Sequence, residues 1–253
     1  MRKPRRALWI SLVALLVVLA GAAGWLRYIG YLGGPVFFEM SATAQTAPGE
    51  RGLGVVIVSG DMGFRVGMGP PIAKGFTADG VPVLGVSSLA YFRNRRTPQE
   101  VQALIRESVE RALKMPNVDH LVLIGQSFGA DMLHVGLTGL PADLRARVQL
   151  VALVVPTDTV YYQASPAEML TFSDPDAAAL PTARQLTWIR ALCVQGAEEK
   201  DSLCPRLTQP NMRRVALPGG HYLNYDSDAL YRVLHQAVVA SDRAPNMSKG
   251  NRS

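Results

Sequence analysis

Histidine and cysteine are scarce in this chain, which has four histidines and two cysteines among its 253 residues. Two cysteines with no histidine nearby cannot complete the four-ligand sphere of a structural zinc site, so no metal is expected. The chain also shows no internal repeat, which argues against a solenoid or a propeller. Its 48% hydrophobic and 18% charged residues suffice for one domain with a sizeable core.

A large excess of charge is also absent once the N-terminus is set aside. The formal net charge is +6, and four of the basic residues (Arg2, Lys3, Arg5 and Arg6) lie within the first six positions. Without these four charges the net charge falls from +6 to +2. The body of the chain is therefore weakly basic and carries no nucleic-acid-binding motif, so no nucleic acid is expected as a partner.

The N-terminus carries the one long apolar run. Residues 7–26 are uncharged, and twenty residues are enough to cross about 30 Å of hydrocarbon as a helix. A basic flank before an apolar run also describes a secretory signal, with Ala20-Gly21-Ala22 as a cleavage site. The length of the run favours an uncleaved anchor. Either way the basic end stays in the cytoplasm, so the domain is expected on the periplasmic face of the inner membrane or free in the periplasm.

The most informative motif is Gly125-Gln126-Ser127-Phe128-Gly129, between the apolar run 121–124 and an apolar-periodic helical segment. Strand, G-x-S-x-G and helix in this order are what a nucleophile elbow requires, because only glycines fit around so sharp a turn. The first N–H groups of the helix then face the place where negative charge develops. Ser127 is therefore the predicted nucleophile, and the N–H of Phe128 is an expected oxyanion-hole donor.

A hydrolytic serine needs a base, and position in the chain leaves one candidate histidine. His120 starts the strand before the serine, His134 lies about two turns into the following helix, and His235 falls inside the last helix. His221 follows the apolar run 215–217 and precedes the last helix. That strand–loop–helix position is where α/β-hydrolases carry their catalytic histidine.

The acid of a triad should lie in the loop 196–205, which follows a short apolar strand and holds three carboxylates. Counting forward from Gly196 favours Glu199. Counting back from Pro205, which often follows the acid by four residues in this fold, favours Asp201. We expect Asp201, with Glu199 second, to hold His221 in one tautomer and to stabilise its charged form.

A second oxyanion-hole donor is expected in the loop Ser59-Gly60-Asp61-Met62, which follows the β-branched strand 55–58. The N–H of Asp61 or of Met62 fits this role. The Asp61 side chain has two interpretations. It fixes the loop by local hydrogen bonds, or its carboxylate faces a cationic group of the substrate.

The remaining pattern predicts an α/β fold. Strands near 81–86 and 151–155 alternate with helices, one of which opens at the capping box Thr97–Glu100, so a mostly parallel sheet flanked by helices is expected. Residues 157–187 interrupt the alternation and are expected to form a small cap over the pocket, with apolar walls from Tyr161, Tyr162, Met169 and Phe172. The predicted organisation is a basic flank at 1–6, an anchor or signal at 7–26, a tether at 27–52, a hydrolase domain at 53–242 and a flexible tail at 243–253.

The two cysteines bracket the acidic loop. Cys193 lies in the strand before it and Cys204 closes it. In an oxidising compartment they are expected to pair, which would fix Asp201 relative to His221.

Together these motifs resemble the bacterial VirJ/AcvB virulence-protein family over about residues 53–240. The resemblance implies a periplasmic α/β-hydrolase that cleaves the ester of aminoacylated phosphatidylglycerol, such as lysyl-phosphatidylglycerol, and releases the amino acid. It also implies a 193–204 disulfide and favours Asp201 over Glu199. Met62 departs from the glycine that the family commonly has there. The motifs that carry the resemblance are Ser59-Gly60-Asp61, the stretch from Gly85 to Glu100, Leu123 to Asp131, Cys193 with Asp201 to Pro205, and Gly219-Gly220-His221.

The expected function is that of a serine esterase acting on a lipid or acyl ester at the inner membrane, with no cofactor. Arg93, Arg95 and Arg96, which follow Tyr91 and Phe92, either meet a lipid phosphate or form a solvated basic run, and Tyr91 is a further candidate for substrate contact. Two alternatives stay open: a non-catalytic periplasmic partner of a secretion system, and a general carboxylesterase or thioesterase.

Overall fold

A seven-stranded sheet organises the fold in the computed structural model, which describes residues 3–164 and 174–242. The strands in chain order are β1 (Phe37–Met40), β2 (Leu53–Val58), β3 (Val83–Val86), β4 (His120–Gln126), β5 (Val148–Val154), β6 (Thr159–Val160), β7 (Ala177–Ala178), β8 (Ala191–Gly196) and β9 (Met212–Leu217). The helices are α1 (Lys3–Ile29), α2 (Gly69–Ala78), α3 (Ser88–Phe92), α4 (Pro98–Ala112), α5 (Phe128–Leu137), α6 (Ala142–Arg145), α7 (Leu180–Ala183) and α8 (Ser227–Asp242).

The main sheet has the order β1-β3-β2-β4-β5-β8-β9, and every neighbouring pair is parallel except β1 with β3. The buried stretches of its central strands are apolar, as expected for strands that helices cover on both faces. One face packs with α4 and α5 and the other with α2 and α8. The sheet is therefore the mostly parallel, helix-flanked sheet that the sequence predicts.

The predicted elements are present, with small shifts at their ends. The strand expected near 81–86 begins at Val83, and the helix after the elbow begins at Phe128. The capping box is formed: the Glu100 N–H donates to the Thr97 hydroxyl, and the Thr97 N–H donates to the Glu100 carboxylate. These are the segments whose apolar period and end signals agree, so local sequence alone specifies them.

The N-terminal helix reaches the domain. Among the described helices, α1 is the one long and apolar enough to cross a membrane by length and composition, over Trp9–Ile29. Ile29 at its end is only 2% exposed. A Cβ built on Gly63 would lie 2.7 Å from the carbonyl oxygen of Ile29, so the end of α1 contacts the loop after β2. Its last turn is thus packed into the domain.

The segment 27–52, expected to be a tether, is part of the folded domain. It contains β1, which adds an antiparallel edge to β3. Further along, the Thr43 N–H donates to the Thr77 carbonyl and the Thr46 hydroxyl donates to the Gly80 carbonyl. Four residues without clear alternation leave no strand signal, which is why sequence analysis misses β1. The tail expected at 243–253 lies outside the described residues.

The described parts of the insertion expected at 157–187, residues 157–164 and 174–187, contain a short β6–β7 ladder followed by α7. Its first part lies against the end of α3: the Arg96 N–H donates to the Tyr162 carbonyl and the Ala164 N–H to the Phe92 carbonyl. Met169 and Phe172, expected as cap walls, fall outside the described residues. The described part therefore adjoins the α3–α4 loop.

Cys193 in β8 and Cys204 form a disulfide across 11 residues. Both cysteines are buried, so the bond joins the core of β8 to the far end of the acidic loop. The pairing expected from the sequence is present.

Replacing both cysteines with alanine should lower the free energy of unfolding by about 2–3 kcal/mol, because the unfolded chain then regains the entropy of an open loop. Alanine leaves no unpaired hydroxyl or thiol in the core. Urea denaturation of the double variant, with dithiothreitol-treated wild-type protein as the control, checks this. An unchanged unfolding midpoint in both samples would show that the bond contributes nothing to stability.

Candidate functional site

The turn between β4 and α5 is a strained nucleophile elbow. Ser127 has φ 52° and ψ −127°, a left-handed backbone that a non-glycine residue adopts only when its surroundings impose it. A Cβ on Gly125 would lie 2.5 Å from the Gly129 carbonyl oxygen, and one on Gly129 would lie 2.3 Å from the Ser59 carbonyl oxygen. The two glycines are therefore required by close backbone packing, and Ser127 is presented at the carboxyl end of β4.

His221 meets this serine. The loop after β9 carries it, and its Nε2 lies 2.7 Å from the Ser127 Oγ. A Cβ on Gly196 would lie 2.2 Å from the carbonyl oxygen of Gly220, so the loops after β8 and β9 touch backbone to backbone. Three strand ends thus bring the predicted nucleophile and base into hydrogen-bond contact.

The sequence predicts Asp201 as the acid, with Glu199 second. In the structure the carboxylate beside His221 is that of Glu199. His221 Nδ1 lies 2.5 Å from Glu199 Oε1, and Glu199 Oε2 accepts a 3.3 Å hydrogen bond from the Gly196 N–H. The Glu199 side chain is 1% exposed. Asp201 is exposed to solvent. The structure therefore places the second of the two predicted acids in contact with the histidine.

Backbone hydrogen bonds explain why Glu199, and not Asp201, lies beside His221. A turn closed by the Glu199 N–H and the Gly196 carbonyl brings Glu199 back beneath the histidine loop. Asp201 and Ser202 are held instead by the segment after β5, because the Asp158 N–H donates to the Asp201 carbonyl and Ser202 pairs with Thr157. Distance along the chain from Pro205 carries no information about that long-range pairing.

Glu199 also sets the protonation of His221. Its hydrogen bond to Nδ1 raises the pKa of His221 above the ordinary 6.5, burial opposes the rise, and the charges of Glu199, Asp201 and Asp61 add to it. Anionic neighbours favour the charged imidazolium, which is the form a general base reaches during catalysis.

The loop after β2 lies beside the serine. The Ser88 N–H donates to the Ser59 hydroxyl at 3.0 Å and the Ser88 hydroxyl donates to the Ser59 carbonyl at 2.5 Å, which fixes the start of the loop. A Cβ on Gly60 would lie 3.7 Å from the Ser127 Cβ. Asp61 and Met62, whose N–H groups are the predicted oxyanion-hole donors, follow Gly60 directly in the chain.

Phe128 is the first residue of α5, and its N–H is among those that a helix leaves without an internal acceptor. The N–H groups predicted as oxyanion donors therefore belong to the first residue of α5 and to the loop after β2. Their role in binding an oxyanion stays a prediction.

The Asp61 carboxyl is half-buried in this site. Burial raises its pKa, while the backbone N–H groups of Met62 and of Asp61 itself and the nearby His221 lower it. These N–H groups fit the first interpretation of this residue, local hydrogen bonding within the loop. It does not exclude the other, since one carboxylate accepts several hydrogen bonds.

Asp131 is a buried residue whose contacts sequence analysis misses. Its carboxylate accepts hydrogen bonds from the Thr157 N–H at 3.1 Å and the Thr157 hydroxyl at 2.9 Å. Desolvation raises the pKa of Asp131 well above its ordinary value. Because Thr157 also pairs with Ser202, this carboxylate links the elbow helix to the loop that carries Glu199. A lone acid on a helix that is apolar apart from His134 is the signal that could have revealed it.

The arginines expected to meet a phosphate differ in whether another side chain already pairs with their charge. Arg96 lies over the Tyr91 ring at 4.5 Å and pairs with Glu100 at 3.0 Å, so its charge is already engaged. The Tyr91 hydroxyl donates to the Glu100 carbonyl. Arg93 is exposed and lies beside Gly33, just beyond α1, and none of the described ion pairs includes it. Arg95 pairs with Asp176, so of the three arginines Arg93 is the one outside the ion pairs of the described residues.

The other histidines lie away from the serine. His134 is fully buried, and desolvation lowers its pKa to about 3. His120 contacts Asp119, and His235 contacts Glu50 and Asp79. Over residues 3–164 and 174–242, no group of three or more histidine, cysteine or acidic side chains is placed to hold a metal ion.

Solved structures with the same fold are esterases, lipases and related enzymes. Est1E from Butyrivibrio proteoclasticus with ferulic acid bound superposes with a TM-score of 0.60 at 13% identity, covering 81% of this chain and 94% of that one. The Bacillus licheniformis lipase BlEst2 gives a TM-score of 0.58 at 10% identity, covering 81% and 99%. Proline iminopeptidase from Mycobacterium smegmatis gives 0.58 at 11%, covering 81% and 94%. At such identities these likenesses establish the α/β-hydrolase fold.

No curated protein matches the chain in sequence. The family profile described as bacterial virulence protein (VirJ) matches residues 53–242, which begins at the first residue of β2 and ends at the last residue of α8. The match covers most of the chain and takes in Ser127, Glu199 and His221. This chain therefore belongs to the VirJ family of bacterial virulence proteins.

Proposed function

We propose that this chain is a serine esterase that cleaves the aminoacyl ester of aminoacylated phosphatidylglycerol. The observation that carries the proposal is the relay from Ser127 through His221 to Glu199, with contacts of 2.7 Å and 2.5 Å. A hydroxyl bonded to an imidazole that is itself oriented by a buried carboxylate is the arrangement that activates a serine for acyl transfer.

Catalysis begins with proton transfer. His221 Nε2 takes the proton of Ser127 as Oγ attacks the ester carbonyl carbon, and Glu199 stabilises the resulting imidazolium. The N–H groups of Phe128 and of the Asp61–Met62 loop bind the oxyanion. When the tetrahedral intermediate collapses, the bond to the lipid oxygen breaks and His221 returns the proton to that oxygen.

Hydrolysis completes the cycle. The amino acid is then esterified to Ser127, and His221 removes a proton from an attacking water. Collapse of the second intermediate releases the amino acid and restores the serine hydroxyl. Phosphatidylglycerol leaves after the first half and the amino acid after the second, and no cofactor takes part.

The end of α1 supports a lipid substrate. The loop that touches Ser127 through Gly60 also touches the carbonyl of Ile29 through Gly63. If α1 spans the inner membrane, the site is therefore adjacent to the periplasmic surface of the bilayer. Tyr222 and Tyr225, directly after His221, stack on each other and are 60% and 67% exposed. Aromatic side chains of this kind favour membrane interfaces.

Arg93 supplies a fitting charge. It lies beside Gly33, within four residues of the end of α1, so it would face the head groups of such a bilayer. A guanidinium binds phosphate oxygens in pairs. The disulfide fits an oxidising compartment, as the periplasm is.

A general carboxylesterase or thioesterase would use the same relay, and only the substrate distinguishes it. A non-catalytic secretion-system partner would need no such relay, and the strained backbone of Ser127 would then have no purpose. The relay therefore favours an enzyme over a scaffold.

Purified protein should release amino acid from alanyl- or lysyl-phosphatidylglycerol in mixed micelles, and Ser127→Ala should lower the rate by at least about 10³-fold. Short-chain acyl esters in the same micelles test the general-esterase alternative. Mass spectrometry of the lipid and amino-acid products is the measurement. Preference for the short-chain esters would reject the aminoacyl-lipid proposal, and no hydrolysis of either would reject the enzyme.

Glu199→Gln should lower kcat by about 10²- to 10⁴-fold, because glutamine can neither hold the productive tautomer nor stabilise the imidazolium. Asp201→Asn is the matched control, and its effect should be about threefold or less, as for an exposed charge. Both variants are assayed on one soluble ester after thermal unfolding confirms that they fold. The opposite ranking would return the role of the acid to Asp201.

The pH dependence of kcat/KM should follow the protonation of His221. A base must be neutral to act, so activity should rise with pH through a midpoint above 6.5, where its neighbours hold the pKa. Asp201→Asn removes one of the charges that favour the imidazolium and should move the midpoint to lower pH. A midpoint at or below 6.5 for wild-type protein, on a soluble ester without titrating groups, would contradict this assignment.

A further inference from the structure

Asp61 has a carboxylate in the candidate active site that the relay does not use. Its neighbour Gly60 lies against Ser127, with 3.7 Å between the position of a built Cβ and the serine Cβ. The negative charge of Asp61 is close enough to His221 to contribute to the raised pKa of that histidine. The Ser59–Ser88 hydrogen bonds fix the loop on which it stands, so this position beside the nucleophile is rigid.

Within the described residues, no lysine or arginine forms an ion pair with this carboxylate. None of the ion pairs over residues 3–164 and 174–242 includes Asp61. Its polar neighbours are the backbone N–H groups of Met62 and of Asp61 itself, with His221 beyond. A half-buried carboxylate without a cation is costly to keep, since desolvation disfavours its charge. A cation that arrives with the substrate would offset that cost.

The other acids near the site are not placed to receive such a cation. Both oxygens of Glu199 are engaged, with His221 and with the Gly196 N–H. Asp131 is buried against Thr157. Asp201 is exposed on the outer part of the acid loop, and its neighbour Ser202 pairs with Thr157. Asp61 is the carboxylate on the loop beside the nucleophile.

We infer that Asp61 binds the α-ammonium group of an aminoacyl ester and selects such esters over acyl esters without a cation. This rests on the proposed esterase function. The α-ammonium is attached to the carbon next to the carbonyl that Ser127 attacks. When the carbonyl oxygen points at the N–H groups of Phe128 and the Asp61–Met62 loop, that carbon lies beside the same loop. The nitrogen is then near the Asp61 carboxylate.

Selection follows from what happens to Asp61 without the ammonium. An N-acylated or unsubstituted ester would enter the site and leave the carboxylate further desolvated with no cationic partner from the substrate. A binding site built around one polar group rejects ligands that leave the group unpaired. The side chain of the amino acid is not read by this contact, so the inferred preference extends to alanyl and lysyl esters alike.

Two soluble esters test the inference: alanine ethyl ester and N-acetylalanine ethyl ester, which differ in the charge of the nitrogen. The α-ammonium also makes an ester intrinsically more reactive, so the readout is the ratio of the two kcat/KM values, compared between proteins. Asp61→Asn should lower the ratio of charged to acetylated ester by about 10- to 100-fold, the usual range for losing a hydrogen bond to a charged group. Any general damage to the loop affects both esters and cancels in the ratio.

Two further variants bracket the result. Asp61→Glu keeps the charge and should retain most of the preference. Asp201→Asn removes a different carboxylate that acts on His221 and should leave the ratio at the wild-type value. A ratio that Asp61→Asn leaves unchanged would overturn the inference while the esterase function stands. If the wild-type protein hydrolyses neither of these two esters nor the aminoacyl lipid, the proposed function is rejected and this inference with it.

A second measurement needs no variant at position 61. Alaninamide should competitively inhibit wild-type hydrolysis of a neutral ester at least about tenfold more strongly than N-acetylalaninamide does. Equal inhibition by the two amides would overturn the inference, whatever the Asp61 variants do.

Discussion

The hydrogen bond between His221 and Glu199 is the interaction on which the candidate site depends. An imidazole has two nitrogens, and fixing Nδ1 on a carboxylate leaves the lone pair of Nε2 for the serine. At 2.5 Å and with a side chain that is 1% exposed, Glu199 allows His221 little choice of orientation. In such a low-dielectric position the bond is stronger than the same pair would be in water.

Burying a carboxylate is costly, and the surrounding structure offsets the cost. The Gly196 N–H donates to the second oxygen of Glu199, and backbone contact between Gly196 and Gly220 leaves no room for a side chain between the two loops. The disulfide closes the far end of the acid loop. Asp131 joins the elbow helix to the segment that pairs with this loop. The loops from β4, β8 and β9 therefore form one braced unit.

The parallel sheet explains why three distant residues meet. The carboxyl ends of β4, β8 and β9 lie at the same edge of the sheet, so each following loop opens onto the same crevice. For this reason Ser127 and His221 can be assigned from strand–loop–helix order alone. The apolar strands, the capping box of α4 and the two glycines of the elbow are likewise local signals, and the structure contains each of them.

What sequence analysis misses depends on long-range pairing. Asp201 and Glu199 are two residues apart, and the choice between them is made by hydrogen bonds to residues 156–158, more than 40 positions upstream. The edge strand β1 is stabilised by β3, not by its own four residues. The contacts of Asp131 arise because Thr157 is brought beneath α5 by the turn after β5. None of these leaves a periodic trace in the chain.

The loop after β2 connects the two halves of the proposed function. Gly60 lies beside the nucleophile, Asp61 carries a carboxylate that the relay does not use, and Gly63 contacts the last turn of α1. With φ 83° and a Cβ position only 2.7 Å from the Ile29 carbonyl oxygen, Gly63 admits no side chain, and this lets the end of the apolar helix pack closely on the loop. The ester of an aminoacylated lipid lies in the head group, at the depth where a spanning α1 would end. A lipid could therefore present its ester to Ser127 while its acyl chains stay in the bilayer, and a soluble ester would gain nothing from this arrangement.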